Sequence, residues 1–435
     1  MRIRINHRSS AALYVVILLA ISVVLPIAAT PAAPDEALFV STSTRAGRLA
    51  VFDDVWETIE ERYYDPRFGG LNWEASRLVF RPAAAEAKTT HDFYELLRRM
   101  IAPLNDAHTR VFSPEEKFDW WSPRFVTVGV SVRDIEGLPT VINVEPASRA
   151  EDSGLRAGDV LVSVDNLSAA EFIRRRMQNA GESPSARVKA IRSMFDGPAG
   201  TWVAVSWKNA KGRLRSGMLE RYWNQRTLGF RFRRDHDLLI IGLDAFTQTI
   251  ASDFLKQLPR AIDHARAIVL DLRGNGGGDA EAMANIASAF LDTGINLGKF
   301  ADRSGASFEL VTTPRLSQVS RSTTPIANVP MVVLTSETTS SAAEILASTL
   351  QHLRRAWVIG SPTCGCVLAI RSRHNLPDGG VLDVSEFDYR TAEGIRLEGL
   401  GVMPNEAMAG RRTDLYAKRD IALEGAKRYL TAPRN

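Results

Sequence analysis

The sequence contains little cysteine. Its 435 residues include two, Cys364 and Cys366, so a disulfide framework is excluded and a metal site built from paired cysteines has no support. Two strand residues at this spacing share one face, which leaves packed thiols, the interpretation we favour, or a local disulfide. We expect no metal and no other cofactor.

Net charge is also low. The formal charge of +4 is small for this length, and part of it comes from Arg2, Arg4 and Arg8. No stripe of lysine and arginine interleaved with aromatic residues appears, so nucleic acid is not an expected partner. The hydrophobic content of 45% and charged content of 24% are those of ordinary globular protein with room for two or three domains.

Residues 1–33 have the pattern of a targeting segment. Three arginines precede an almost wholly apolar stretch at 11–29, and small residues suited to cleavage follow. The 19 apolar residues are close to the roughly 20 that span a bilayer. We expect export to the periplasm or cell envelope, with the segment either cleaved or kept as an inner-membrane tether. The alternative is a buried core helix.

Hydrophobic periodicity divides the remaining chain into three regions. Apolar residues at helical spacing between 45 and 105 predict a helical N-terminal region, 34–123. Short strands at 126–132, 140–144 and 160–164, with a short helix at 150–155, define a second region, 124–210.

The third region, 211–435, alternates buried strands with helices. This order predicts an α/β fold with a mostly parallel sheet, whose active site lies beyond the carboxyl ends of the strands. The predicted strands are 238–243, 267–272, 331–335 and 357–359, and the predicted helices are 250–264, 279–291 and 342–354.

Ser341 is the first candidate for chemistry. It follows one of these strands in a small-residue turn and precedes an amphipathic helix, so it lies where orphan N–H groups and the helix dipole favour an oxyanion. The competing interpretation is structural, because Ser341 and Glu344 also fit a helix capping box.

A glycine-rich loop follows another strand end. Residues 274–278 contain four glycines, which allow a sharp turn and leave backbone N–H groups unobstructed for an anion. No Gly-Lys-Ser/Thr follows and the dinucleotide-binding spacing is absent, so a phosphate loop is disfavoured. We predict an oxyanion hole formed by the N–H groups of Gly277 and Ala342.

These motifs together resemble the C-terminal processing and tricorn-type serine peptidases. The likeness extends over essentially the whole chain after residue 33, with the motifs in the expected order. It implies a ClpP/crotonase-like α/β peptidase domain with an inserted PDZ domain. The matching segments are 63–66, 104–109, 271–278, 339–344, 355–363 and 398–405.

One departure from that family decides the expected mechanism. Its C-terminal processing members carry a general-base lysine 25 positions after the serine, and here that position is Cys366. Resemblance to the tricorn-type members implies His108 as the base instead, with Glu398 orienting the ring or its partners. Tricorn-type enzymes often place a serine before this histidine, whereas this chain has Ala107.

Residues 146–165 resemble the core of a PDZ domain, which binds a peptide as an added strand and holds its C-terminal carboxylate on backbone N–H groups. The resemblance places the carboxylate loop at Val128, Gly129 and Val130. A PDZ-like fold that only positions its neighbour is the alternative.

The expected function is therefore that of an exported serine endopeptidase with a Ser-His(-Glu) arrangement. Its expected partners are protein or peptide substrates, including unfolded C-terminal tails. Two alternatives remain: a catalytically inactive PDZ-containing peptide-binding scaffold in the cell envelope, and a structural envelope component held by an uncleaved leader.

Overall fold

The computed structural model describes residues 39–116, 124–177, 184–225, 227–313, 326 and 329–432. The predicted targeting segment, 1–33, lies outside them. Residues 40–432 belong to one compact unit. Within the described residues, no helix combines the length and the apolar character that a membrane crossing needs.

The helices are α1 (Arg45–Arg62), α2 (Trp73–Ala85), α3 (Thr90–Ile101), α4 (Arg149–Asp152), α5 (Ala169–Met177), α6 (Pro184–Arg192), α7 (Gln248–Ile262), α8 (Ala280–Ala287), α9 (Ala342–His352), α10 (Arg412–Tyr416) and α11 (Ile421–Thr431).

The strands are β1 (Arg110–Phe112), β2 (Arg124–Thr127), β3 (Val130–Ile135), β4 (Leu138–Val144), β5 (Val160–Val164), β6 (Leu167–Ser168), β7 (Trp202–Lys208), β8 (Leu214–Glu220), β9 (Tyr222–Gln225), β10 (Phe230–Asp235), β11 (Leu238–Leu243), β12 (Ala267–Asp271), β13 (Asn296–Asp302), β14 (Ser307–Val311), β15 (Met331–Thr335), β16 (Trp357–Gly360), β17 (His374–Asn375), β18 (Val381–Asp383), β19 (Phe387–Arg390) and β20 (Glu406–Ala407).

The N-terminal helices α1, α2 and α3 form where the sequence predicts a helical region. Each begins with a side-chain cap, from Thr44, Asn72 and Thr89 respectively. Their apolar faces share one core in which the rings of Trp56 and Trp73 stack with centroids 6.3 Å apart. β1 follows these helices and pairs with β18, so the segment that carries His108 joins the C-terminal half of the chain.

Residues 124–225, which we call the middle body, contain a sheet of order β3-β4-β5-β7-β8. The chain enters along β2 and leaves along β9, and these two strands pair antiparallel. Entry and exit at one place are typical of an insertion. The predicted single strand 126–132 is wrong in one respect: Gly129, with φ of 75°, breaks it into β2 and β3.

The C-terminal sheet confirms the predicted α/β architecture. Its order is β10-β11-β12-β15-β16-β20, with β10 antiparallel and the remaining pairs parallel. Helices α7, α8 and α9 pack on one face and α11 on the other, so β11, β12 and β15 read as nearly continuous apolar runs. α8 ends four residues earlier than predicted, and turns continue to Leu291.

Candidate active site

Ser341 occupies the turn between β15 and α9. Its φ of 56° lies in the left-handed region, which a non-glycine residue adopts only when its surroundings hold it there. The residue immediately precedes α9, so the N–H of Ala342 is among those without an intrahelical partner. Ser341 therefore lies at the carboxyl end of β15 and at the positive end of a helix, as predicted.

Glu344 holds this turn in place. Its carboxylate is fully buried and accepts hydrogen bonds from Ser341 N at 3.0 Å, Gly365 N at 2.7 Å, Cys366 N at 2.9 Å and Thr363 Oγ1 at 2.5 Å. The carboxylate half of the predicted capping box is present. The Glu344 N–H donates to the carbonyl oxygen of Ser341 at 2.8 Å, which satisfies this amide without the hydroxyl. Burial raises the pKa of Glu344, and its hydrogen bonds oppose that rise.

Gly277 packs directly against Ser341. A Cβ added to Gly277 would lie 2.6 Å from Ser341 Cβ and 3.1 Å from Ala342 N, so only glycine fits. The Gly277 N–H donates to Oδ1 of Asn275 at 2.8 Å. The carbonyl oxygen of Asn275 in turn accepts from Ser340 N at 3.1 Å, which fixes the glycine-rich loop to the serine turn.

The two cysteines form a disulfide, so the prediction of packed thiols is wrong. That prediction assumed an extended strand. Instead, Gly365 has φ of 67° and turns the chain, and the Cα atoms of Cys364 and Cys366 lie 5.2 Å apart, within the usual range for a disulfide. The carbonyl oxygen of Cys366 accepts from Ser341 N at 2.9 Å. The position at which related peptidases carry a lysine is thus next to Ser341 and holds no proton-accepting side chain.

Glu398 binds the two residues that follow Cys366. Its Oε2 accepts from Val367 N at 2.6 Å and Leu368 N at 3.1 Å. Burial raises the pKa of Glu398 to about 7, and the charge of Asp106 adds to the rise, while the two backbone N–H groups and Arg396 oppose it. Ser341 is therefore bound to Cys366 and Glu398 is bound to Val367, and these two partners are adjacent residues of one segment.

His108 follows a tight turn that Asp106 caps. Burial lowers the pKa of His108 to about 4, the positive charges of Arg110 and Lys189 lower it further, and the charge of Asp106 opposes them. The ring is therefore a neutral imidazole at neutral pH, which is the form that accepts a proton. Because Asp106 acts on both Glu398 and His108, the candidate base and the Ser341 segment share one electrostatic neighbourhood.

Reasoning from the sequence missed three residues of this site. Asp106 lies inside a matching motif but received no role, and Lys189, on α6, donates to the Asp106 carbonyl oxygen at 3.0 Å. Glu337, in the turn before Ser341, pairs with Arg133 on β3. Nothing in the local sequence marked Lys189 or Arg133, because each of them pairs with a residue more than 80 positions away in the chain.

Val128, Gly129 and Val130 lie at the junction of β2 and β3. Both valine side chains are buried in the core of the middle body. The Gly129 N–H donates to Thr127 Oγ1 at 3.0 Å, and its carbonyl oxygen accepts from Glu145 N at 2.8 Å. Val130 begins a strand of the middle-body sheet, whereas Ser341 follows β15 of the C-terminal sheet.

Comparison with known proteins shows which peptidases this chain is similar to. Residues 237–408 match the model for peptidase family S41, and residues 45–102 match that for the tricorn protease C1 domain. The carboxyl-terminal-processing protease of Picosynechococcus sp. is 30% identical over 389 residues, which cover 83% of this chain and 85% of that protein. The carboxy-terminal processing protease CtpA of Bacillus subtilis is 25% identical, over 71% of this chain and 62% of that protein.

Solved structures share the fold. The photosystem II D1 C-terminal processing protease has a TM-score of 0.55 at 22% identity, covering 88% of this chain and 97% of that one. Mature CPAF in complex with lactacystin has a TM-score of 0.64 at 14% identity, covering 89% and 97%. The serine lies at a helix N-terminus against a glycine loop, and the relatives are carboxyl-terminal-processing proteases. The chain therefore belongs to peptidase family S41, the carboxyl-terminal-processing serine proteases, and is a serine-type peptidase.

Proposed function

We propose that the protein is an exported endopeptidase that uses Ser341 as the nucleophile and His108 as the general base. One observation carries the proposal: the position of the family lysine, beside Ser341, holds a disulfide sulfur that cannot accept a proton. Serine at its ordinary pKa is a poor nucleophile, so the base must come from elsewhere. Neutral His108 lies in the same electrostatic neighbourhood and has the chemistry of a general base.

In this mechanism, Ser341 Oγ attacks the carbonyl carbon of the scissile peptide bond while Nε2 of His108 takes its proton. The N–H groups of Ala342 and Gly277 bind the oxyanion, which replaces Asn275 Oδ1 as the acceptor for Gly277. The imidazolium then protonates the leaving amine, and a water molecule hydrolyses the acyl-enzyme by the same route. Glu398 acts as the carboxylate that orients the ring or its partners.

We infer that the substrates are unfolded polypeptides, including their C-terminal tails. The names of the relatives support this, since they describe processing at a carboxyl terminus. We further propose that the middle body is a PDZ domain and that Val128, Gly129 and Val130 receive the substrate carboxylate. The pairing of Arg133 with Glu337 would connect that peptide groove to the serine turn.

Export to the cell envelope is part of the proposal. The Cys364–Cys366 disulfide supports it, because such bonds persist in oxidising compartments. The N-terminal segment would provide the export signal, whether it is cleaved or kept as a membrane tether.

Labelling with a fluorophosphonate tests this function, because an unactivated serine does not react. We expect the wild-type protein to be labelled, with the adduct mapped to Ser341 by peptide mass spectrometry, and to cleave an unfolded protein such as reduced casein. Ser341→Ala and His108→Ala should abolish both, whereas His236→Ala, at a largely exposed histidine, should retain them.

Absence of labelling and cleavage in the wild-type protein would favour the inactive peptide-binding scaffold. Full activity in His108→Ala would overturn the assignment of the base while leaving the nucleophile in place.

A further inference from the structure

Three hydrogen bonds hold the Asp106 carboxylate, and all three go to its Oδ1 oxygen. Oδ1 accepts from the backbone N–H groups of His108 at 2.7 Å and Thr109 at 2.6 Å, and from Ser385 Oγ at 2.9 Å. These contacts join the turn to the segment after β18. Lys189 holds the same residue from the middle body, through the Asp106 carbonyl oxygen.

Two buried polar atoms in this turn lack partners. Among the described residues, neither Asp106 Oδ2 nor His108 Nδ1 makes a hydrogen bond, although water does not reach either atom. An unsatisfied buried polar atom is costly and needs an explanation. The two atoms are complementary: a carboxylate oxygen accepts, and Nδ1 donates when it carries the ring proton.

Glu398 is less well placed for this partnership. Its Oε2 is already engaged by two backbone N–H groups, and the charged groups that act on the His108 ring are Arg110, Asp106 and Lys189. Hydrogen bonds at catalytic sites are often long without substrate and tighten when substrate binds.

We propose that Asp106 is the positioning residue of His108: its Oδ2 accepts the proton on Nδ1 and thereby leaves Nε2 free to serve Ser341. The inference rests on the proposed Ser-His mechanism and assigns the orienting contact to Asp106. Glu398 then acts on Asp106 and not on the ring. Ala107, between Asp106 and His108, carries no hydroxyl that could stand between the carboxylate and the imidazole.

Other titratable groups surround this pair. Tyr63, at the end of α1, has a pKa raised by burial and by the charge of Asp106, and its hydroxyl also interacts with the Asp106 carboxylate as a donor that competes with the His108 ring. The charge of Arg110 on β1 lowers the pKa of His108, and the pKa of Lys189 on α6 is lowered by burial and by Arg110 and raised by the charges of Asp106 and Glu398. A change in pH therefore acts on several groups, so the test reads the ring nitrogens of His108 directly.

The test is nitrogen-15 NMR of the full chain labelled at histidine, with the His108 signals assigned by their loss in His108→Gln. We expect the wild-type ring to carry its proton on Nδ1. Asp106→Asn keeps an oxygen for the two backbone N–H groups but replaces Oδ2 by an amide that donates to Nδ1. The proton should move to Nε2, and kcat should fall by about 10³-fold or more, as for the equivalent change in other serine proteases.

Asp302→Asn is the matched control. Its Oδ1 also accepts from two backbone N–H groups and a hydroxyl, at a turn outside the site. It should leave the His108 tautomer and kcat unchanged. Tyr63→Phe, which removes a competing donor, should also leave the proton on Nδ1.

A wild-type ring with its proton on Nε2 would overturn the inference, and so would an Asp106→Asn variant with unchanged tautomer and kcat. The wild-type measurement decides the question even if the variant does not fold. If fluorophosphonate did not label the wild-type protein, that result would count against the Ser-His mechanism and not against the Asp106 inference, whatever the tautomer.

Discussion

The serine turn and the histidine turn differ in how completely they are built. Around Ser341, the buried carboxylate of Glu344 accepts four hydrogen bonds and Gly277 fits against the serine without free space. Around His108, a carboxylate oxygen and a ring nitrogen are buried with no hydrogen-bond partner in the part of the chain that the structure describes. The proposed nucleophile is therefore held by a complete set of contacts, whereas the proposed base is not, and under the proposal its hydrogen bond to Asp106 forms when substrate binds.

Substitution at Gly277 tests the serine turn and should have the largest effect on activity. In Gly277→Ala the new Cβ meets Ser341 Cβ at 2.6 Å, in a backbone with φ of 94°. A displacement of the nucleophile by about 1 Å lowers activity about 10²-fold or more, which steady-state kinetics would measure. Gly276→Ala is the control, since its Cβ meets nothing closer than Ser340 Oγ at 4.0 Å. Equal losses in both variants would show that the contact with Ser341 is unimportant.

Removing the buried carboxylate should destabilise the protein. Glu344→Gln places an amide where four donors converge, so at least one loses its acceptor. We expect the free energy of unfolding in urea to fall by about 2 to 3 kcal/mol. Glu309→Gln, on the exposed side of β14, should change it by less than about 0.5 kcal/mol. A stable Glu344→Gln protein would mean that these hydrogen bonds do not hold the turn.

The pH dependence of kcat/KM tests the histidine turn. His108 must be neutral to act, and its pKa of about 4 means that activity appears as the pH rises through that value. Glu398, with a pKa of about 7, ionises only above that, so activity should rise again near pH 7 if its charge orients the base through Asp106. Glu398→Gln should abolish the second rise and keep the first. A single rise in the wild-type protein would exclude a role for the charge on Glu398.

Loss of the disulfide should have the smallest effect. The hydrogen bonds from this segment to Ser341 and Glu344 use backbone atoms of residues 365 and 366, and a ring closed over one residue gains little chain entropy. The double variant Cys364→Ala/Cys366→Ala should therefore retain activity within about fivefold in the casein assay. A silent variant would require a chemical role for the sulfur atoms.

Local patterns predicted the serine half of this comparison well. A strand, a small-residue turn and a helix follow one another within 22 residues, 331–352, so their signals are contiguous in the sequence. The parallel sheet was likewise predictable, because its strands are buried on both faces and read as apolar runs. The capping box was visible too, although not that Glu344 also binds residues 363–366.

The histidine half was less predictable, because it is assembled from distant segments. Asp106 meets Ser385 and Lys189, and Glu398 binds residues 367 and 368, contacts that no local periodicity encodes. His108 and Glu398 entered as candidates through resemblance alone. The disulfide was misjudged since a strand was assumed where Gly365 turns the chain.

A crystal structure of the protein with Ser341 phosphonylated would test the central claim most directly. The account predicts that Nε2 of His108 lies within about 3 Å of the serine or phosphonyl oxygen, with Asp106 bound to Nδ1. A modified serine with the imidazole of His108 directed into a separate compartment would contradict it.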